Sequence, residues 1–415
     1  MRAAPILRNL VGSRLDFLHE LQLKALFVVV EAAFRASQLT LTALGRALPS
    51  AAHAKHRIKR VDRLLSNPRM HRARLGIFRE VAACVVGKIA RPVIAVDWTQ
   101  ISDDEWALWA GLPFLGRAIP LYVEVVRIRR GVKRNAHRRF LENLRRLLPV
   151  DCSPILIIDA EFCTPFFDAC AASRFDFVVR LRGVARLKPW AGPPTSARRL
   201  AKTAEERPRC AGRYSTYDSS CQGRTLRVVV GKAIKQRRAR STDNGYQKRA
   251  LQPWVLATTV DNLPASQING LYAKRMQVEE MFRDLKNPRY GWALSHARSR
   301  QCRRLDMLAL VATLAMLVAV LTGAHAETIG IQTRFQANTV KDRRVLSLVN
   351  LGRQVLAERL SLPRTLGKSA FLFVATEQLD WLRAIAKTPH LRCPSCRPKP
   401  RWGPIRVHKR KPSRR

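Results

Sequence analysis

Along the first ninety positions apolar residues recur at helical spacing, between basic clusters and with few β-branched runs. Phe17 to Leu48 predicts two or three helices, with Ser37, Thr40 or Thr42 as N-caps and Pro49 as the interruption. From Arg91 the pattern shortens. RPVIAVDWTQI, WALWAGLPF and AIPLYVEVVRI read as three strands separated by Gly and Pro, and NAHRRFLENLRRLLP from Asn135 to Pro149 has helical period. SPILIIDAEF and FDFVVRLRG add two strands with a helix between them. Three strands, helix, strand, helix, strand is the order of an α/β sheet that begins with an antiparallel meander.

The pattern breaks at about residue 184. Residues 184–253 are rich in Arg, Lys, Ser, Thr and Gly, with RTLRVVVGKAI the clearest strand, and read as a β-rich insertion. Met307 to Ala324 is an uncharged run flanked by Arg303 and Arg304. Length and flank suit a membrane span, but the small residues Ala309, Ala312, Ala315 and Ala319 suit close packing, and a fully buried helix is expected. NTVKDRRVLSLVNLGRQVLAERL is expected to be helical. The ranges that follow are 1–90 (helical), 91–183 (sheet, first part), 184–253 (insertion), 254–330 (sheet region, second part), 331–390 (helical) and 391–415 (a basic flexible tail).

Charge changes the picture. Lys and Arg number 76 against 30 Asp and Glu, a formal charge of +46 spread over the whole chain. Self-repulsion of that size opposes compaction, so a polyanion is the economical partner, with an anionic membrane surface as its competitor and biased composition as a contributor. The basic run AKHRIKRVDRLLSN, with Lys59 and Arg60 at its centre, is either a solvated helix face or a DNA-contacting module of helix-turn-helix type. Nine cysteines, an odd number in a long chain, do not form a secreted disulfide framework. MRAAPILRNLVGSRLDF lacks the features of a signal peptide, so a cytoplasmic location is expected.

Acidic residues are scarce, and their places carry information. Asp97 and Asp159 each close an apolar strand, while LYAKRMQVEEMFRDLK reads as one helix from Leu271 to Lys286. On it Tyr272, Arg275, Glu279 and Lys286 fall within roughly 60° of one another, beside an apolar face of Val278, Met281, Phe282 and Leu285. Glu280 lies outside that stripe. Three converging carboxylates repel one another unless protonated or neutralised, and hard divalent cations such as Mg²⁺ remove the penalty. A single Asp at a strand end is more often a turn or cap residue; Asp, Asp and Glu on strand, strand and helix are harder to dismiss.

DWTQI around Asp97, IIDAEF around Asp159 and YAKRMQVEEMFRDLK around Glu279 resemble the insertion-sequence-4 family of DDE transposases. Tyr272, Arg275, Glu279 and Lys286 match that family's helix signature without a gap. KHRIKRVDRLLSN, PWVLATT, RDLKNPRYG and FQANTV point to its insertion-sequence-10 branch.

The resemblance implies an α/β, ribonuclease-H-like catalytic core with a β-rich insertion. An all-α N-terminal DNA-binding region precedes it and a helical C-terminal region follows. It implies that Asp97, Asp159 and Glu279 bind two Mg²⁺ or Mn²⁺ ions, and that Tyr272, Arg275 and Lys286 grip phosphates. Trp254 stacks an extruded base and Arg180 and Arg182 contact DNA on the same reading. The implied partners are double-stranded DNA (terminal inverted repeats and target) and a second copy in a synaptic homodimer, with no membrane. The implied reaction is cut-and-paste transposition through hydrolysis, hairpin formation, hairpin opening and strand transfer. The alternative is a catalytically silent or domesticated DNA-binding protein. Cys393 and Cys396 form a CxxC without a second half, too little for a zinc site.

Overall fold

The computed structural model describes residues 2–87, 89–128, 132–162, 164–189, 192–217, 224–233, 252–337, 339–340 and 343–360. The CxxC pair, the tail and part of the insertion lie outside them.

Five helices open the chain: α1 (Ala3–Val11), α2 (Glu20–Ala33), α3 (Leu41–Ala47), α4 (Ala54–Ser66) and α5 (Pro68–Val86). Of the three expected caps, Thr40 is the one used, its Oγ1 accepting from the Ala43 N–H at 3.2 Å. Asn67 caps α5, with Pro68 at the first helical position where its missing N–H costs nothing. Helices α3 and α4 cross closely because Gly45 has no side chain: a Cβ there would lie 2.5 Å from the Ile58 Cα. Val61, Leu64 and Leu65 of α4 point inward, which leaves Lys55, Lys59, Arg60 and Arg63 exposed on the other side.

A ten-stranded mixed sheet follows, in the order β3-β2-β1-β4-β5-β10-β9-β8-β6-β7. Its first half is β1 (Val93–Gln100), β2 (Glu105–Phe114), β3 (Arg117–Arg127), β4 (Ile155–Ile158) and β5 (Asp176–Arg180). Strands β1, β4 and β5 are parallel, and the hairpin β2–β3 extends the β1 edge in antiparallel fashion. The parallel crossovers run through α6 (Val132–Leu147) and α7 (Thr164–Ala172), since parallel neighbours cannot be joined by a tight turn. This mixed α/β arrangement is consistent with the core of a DDE transposase.

The inserted strands β6 (Arg186–Pro189), β7 (Thr195–Ser196), β8 (Arg209–Tyr217) and β9 (Thr225–Gly231) form no sheet of their own. Through β10 (Trp254–Thr258), antiparallel to both β5 and β9, they continue the same sheet. A small second core of Leu187, Val228, Val230 and Val255 lies under the short helix α8 (Ala197–Ala201), whose Ala197 joins it.

The segment from Leu271 to Lys286 is not one helix. It divides into α9 (Ala265–Ala273) and α10 (Met276–Lys286), joined by i→i−3 bonds at Lys274, Arg275, Gln277 and Val278. The tighter winding of such bonds interrupts the regular α-helical ladder between them. The apolar run becomes α11 (Cys302–Thr328), in which Leu305 to Ala326 are all buried. It is long and apolar enough to cross a membrane, yet the molecule's own elements cover it. Each fully buried Leu or Val there is worth about 1.5–3 kcal/mol. The expected helix over 338–360 is shorter: α12 (Leu348–Ala357) starts only where Ser347 caps it, its Oγ accepting from Asn350 N–H at 3.0 Å.

Candidate active site

Strand pairing brings the first two carboxylates together. Val96 of β1 is level with Ile158 of β4, so Asp97 and Asp159 are the next residues along neighbouring parallel chains. Asp159 follows the last residue of β4 as expected, but Asp97 does not close its strand: pairing with β2 carries β1 on to Gln100, which leaves Asp97 within it. The third arrives on the first turn of α10, which packs over β1, β2 and β3. Its apolar face of Val278, Met281, Phe282 and Leu285 is buried, which sets Glu279 beside Arg275.

One guanidinium joins all three. Arg275 Nη1 donates to Asp97 Oδ2 at 2.9 Å, Nη2 donates to Glu279 Oε1 at 2.5 Å, and Nε lies 3.9 Å from Asp159 Oδ1. Tyr272 donates its phenol proton to Asp159 Oδ1 at 3.2 Å, and the Arg275 Cζ stands 5.9 Å from its ring centroid. The Asp97 side chain is 13% exposed, against 38% for Asp159 and 40% for Glu279, so Asp97 forms the floor and the other two open to solvent. Glu280, the rejected neighbour, turns away to Arg117 and Arg283.

The electrostatics follow from this geometry. Burial pushes the Asp97 carboxyl up to about 7; Arg275 pulls it down, and the charges of Asp159 and Glu279 push it up again. Burial disfavours the charge on Arg275, but the Tyr272 phenol and the three carboxylates outweigh it and fix the guanidinium as a cation. Burial raises the Tyr272 phenol, so it stays a proton donor.

The remaining predicted residues are placed less uniformly. Lys286 Nζ donates to Thr99 Oγ1 at 3.1 Å. Thr99 sits two residues beyond Asp97 on β1, hence on the same face, and alternation along DWTQ carried that signal. Burial lowers the Lys286 ammonium. Arg180 ends β5 with its charge in reach of the Tyr272 phenol, and Nη2 donates to Gln252 at 3.4 Å. Arg182 is exposed beyond it, and Lys59 and Arg60 are exposed on α4, all three outside the carboxylate cluster. Trp254 is buried beside the cluster. A base can stack only on an accessible ring face, but the indole is 9% exposed and lies edge-on to Tyr272, centroids 5.0 Å apart at 78°.

Two residues the sequence reading missed hold α10 in place. Arg117, at the start of β3, donates from Nε to Asp284 Oδ2 at 2.5 Å and pairs with Glu280 at 3.5 Å. Gln277 Oε1 accepts from the Gly116 N–H in the β2–β3 turn at 3.3 Å. These contacts straddle Glu279, and a hairpin tip touching a helix far along the chain leaves no local sequence trace.

An all-oxygen donor set of three carboxylates suits a hard divalent cation rather than a soft one. Among the described residues no three His, Cys, Asp or Glu side chains stand close enough to enclose a metal ion. Here the carboxylates are spaced around the Arg275 guanidinium.

No curated protein matches the chain. Residues 120–317 match the family model described as the transposase DDE domain, a span that includes Asp159, Tyr272, Arg275 and Glu279 and begins after Asp97. Over that span the chain is similar to transposases that recombine DNA, and the match supports a DDE-type transposase.

Proposed function

We propose that this chain is a transposase of the insertion-sequence-4 type that excises and reinserts its element by cut-and-paste. The observation that carries the proposal is the meeting of Asp97, Asp159 and Glu279 around one cation, from the middle of β1, the end of β4 and a helix. Family members generally use divalent metals, and these three side chains would hold two Mg²⁺ or Mn²⁺ ions. Such ions, when bound, activate a water or 3′-hydroxyl and stabilise the leaving oxygen.

The chain's own groups do the rest. Asp159, half-open to solvent, faces the incoming strand, while Tyr272 holds its carboxylate in one orientation. Lys286, steadied by Thr99, presents a cation to backbone phosphate on the same side of β1 as Asp97. Exposed Lys59 and Arg60 on α4 bind DNA away from the chemistry, within an N-terminal region of about residues 1–90. On this reading hydrolysis frees a 3′-hydroxyl, which attacks the opposite strand to form a hairpin; water reopens it, and the same end attacks target DNA. Two copies on paired ends perform the reaction. A base extruded at the hairpin stacks on Trp254 only after the Trp254–Tyr272 pair opens.

The test uses DNA carrying the element's own ends, found as inverted repeats flanking the gene. Glu279→Gln should lose Mg²⁺-dependent cleavage and keep end binding, whereas Glu280→Gln should cleave. Cleavage by Glu279→Gln at the wild-type rate would refute the assignment.

A further inference from the structure

Arg275 was expected to face DNA phosphate, yet its guanidinium is turned inward, 8% exposed, with all three nitrogens directed at carboxylates. The backbone is shaped around this. The chain leaves regular α-helix at Lys274–Arg275, where i→i−3 bonds replace the usual ladder and no side chain caps α10. Neither Gly nor Pro stands at the break (Tyr-Ala-Lys-Arg-Met), so tertiary contacts and not local propensity place it. The outcome is that Arg275 lies between β1, the end of β4 and α10.

The formal charges define what this does. Three carboxylates carry −3, and Arg275 reduces the sum to −2 while bridging groups on β1, after β4 and on α10 that would otherwise repel one another. Two divalent cations would add +4. With the guanidinium still in place five positive charges would face three negative ones within a few ångströms, so metal and Arg275 compete for the same oxygens. A long, strongly charged side chain displaced from Asp97 and Glu279 finds its next anion in a phosphate, for which the planar guanidinium is suited.

We propose that Arg275 is an exchangeable internal counter-cation: it holds Asp97, Asp159 and Glu279 together before metal binds, and metal binding displaces it toward DNA phosphate. The inference rests on the metal-binding reading of these carboxylates. In this role Arg275 is a positioning residue, acting on the metal site through the carboxylates it neutralises, and it links metal loading to the capture of DNA.

The experiment titrates Mn²⁺ calorimetrically into the full chain at pH 8, without DNA, for wild type, Arg275→Gln, Arg275→Lys and Asp159→Asn. Arg275→Gln should bind Mn²⁺ about tenfold more tightly than wild type, because a unit charge about 4 Å away at a partly shielded site is worth at least that factor. Arg275→Lys, which keeps the charge but lacks the planar fork that reaches three carboxylates at once, should fall between them. Asp159→Asn should weaken binding and so identify the site. A second readout needs only the wild-type protein: phenylglyoxal should modify Arg275 slowly without metal and several-fold faster with saturating Mn²⁺, followed by mass spectrometry of the peptide spanning it. Asp159-dependent binding with unchanged or weaker affinity in Arg275→Gln overturns this inference and leaves the metal reading intact. Equal Arg275 reactivity with and without Mn²⁺ also overturns it, even where the variants fail to fold. No Asp159-dependent Mn²⁺ binding in any form overturns the metal reading and the inference together.

Discussion

Replacing Arg117 with Met should loosen the helix that carries Glu279, and the structure sets the size of the effect. The side chain donates to Asp284 at 2.5 Å and pairs with Glu280 at 3.5 Å, with its own exposure 19% and that of Asp284 8%. Removing one partner of a buried pair costs about 3–5 kcal/mol because the other charge is left uncompensated. The partial exposure of Arg117 and the nearby charge of Arg353 reduce this to about 2–4 kcal/mol. Burial already raises the Asp284 carboxyl while Arg117 lowers it, so Met at 117 raises it further. The fold then holds that proton more tightly than the unfolded chain does. A group of this kind costs stability as pH rises through its folded pKa, so the penalty should be largest near pH 8 and shrink toward pH 5. Urea unfolding at both pH values, for Arg117→Met, Asp284→Asn and the double variant, measures it. The cycle should give a coupling of about 2 kcal/mol or more at pH 8. A coupling below about 0.5 kcal/mol, or a penalty that does not change with pH, would refute the reasoning.

Three further outcomes are expected. Thr99→Val keeps shape and removes the acceptor for Lys286, so strand transfer should fall about three- to tenfold with the unfolding midpoint nearly unchanged, since one such hydrogen bond is worth about 1 kcal/mol; an unaltered rate would detach Thr99 from the site. Lys59→Ala and Arg60→Ala should each reduce the slope of log affinity against log salt by about 1 on end-containing DNA, and an unchanged slope would remove α4 from the interface. Asp306, which accepts from Val125 N–H and Arg74, is pushed up by burial to about 6. Its folded pKa lies above its unfolded one, so wild-type stability relative to Asp306→Asn should decline by about 2 kcal/mol as pH rises from about 4 to 7, and a flat difference in urea midpoints would contradict the assignment.

Much of the site was legible because it is written in local pattern. Apolar runs leading to Asp97 and Asp159 announce strands that carry a carboxylate, and parallel pairing of β1 with β4 makes the two neighbours, although β1 runs on past Asp97 to Gln100 while β4 stops before Asp159. The apolar stripe of Val278, Met281, Phe282 and Leu285 announces which side of α10 packs inward. What stayed hidden depends on contacts distant in sequence. The break before α10 carries no Gly or Pro and exists because Arg275 turns toward Asp97, 178 residues away. Nothing around PWVLATT shows that α9 brings Tyr272 against Trp254. The inserted strands gave no sign that they would pair through β10 onto β5, because strand partners cannot be read from composition. Periodicity continued across 338–360, yet Ser347 supplies the first good cap and the helix waits for it.

The central claim is that Asp97, Asp159 and Glu279 share one cation-binding cleft. Fe²⁺ bound in place of Mg²⁺, with ascorbate and peroxide, cuts the backbone only within a few ångströms of the metal. The account predicts cuts beside all three residues in the same molecule population, suppressed together by excess Mg²⁺ and lost together in Asp159→Asn. Cuts confined to one of the three segments, or clustered elsewhere in the chain, would contradict it.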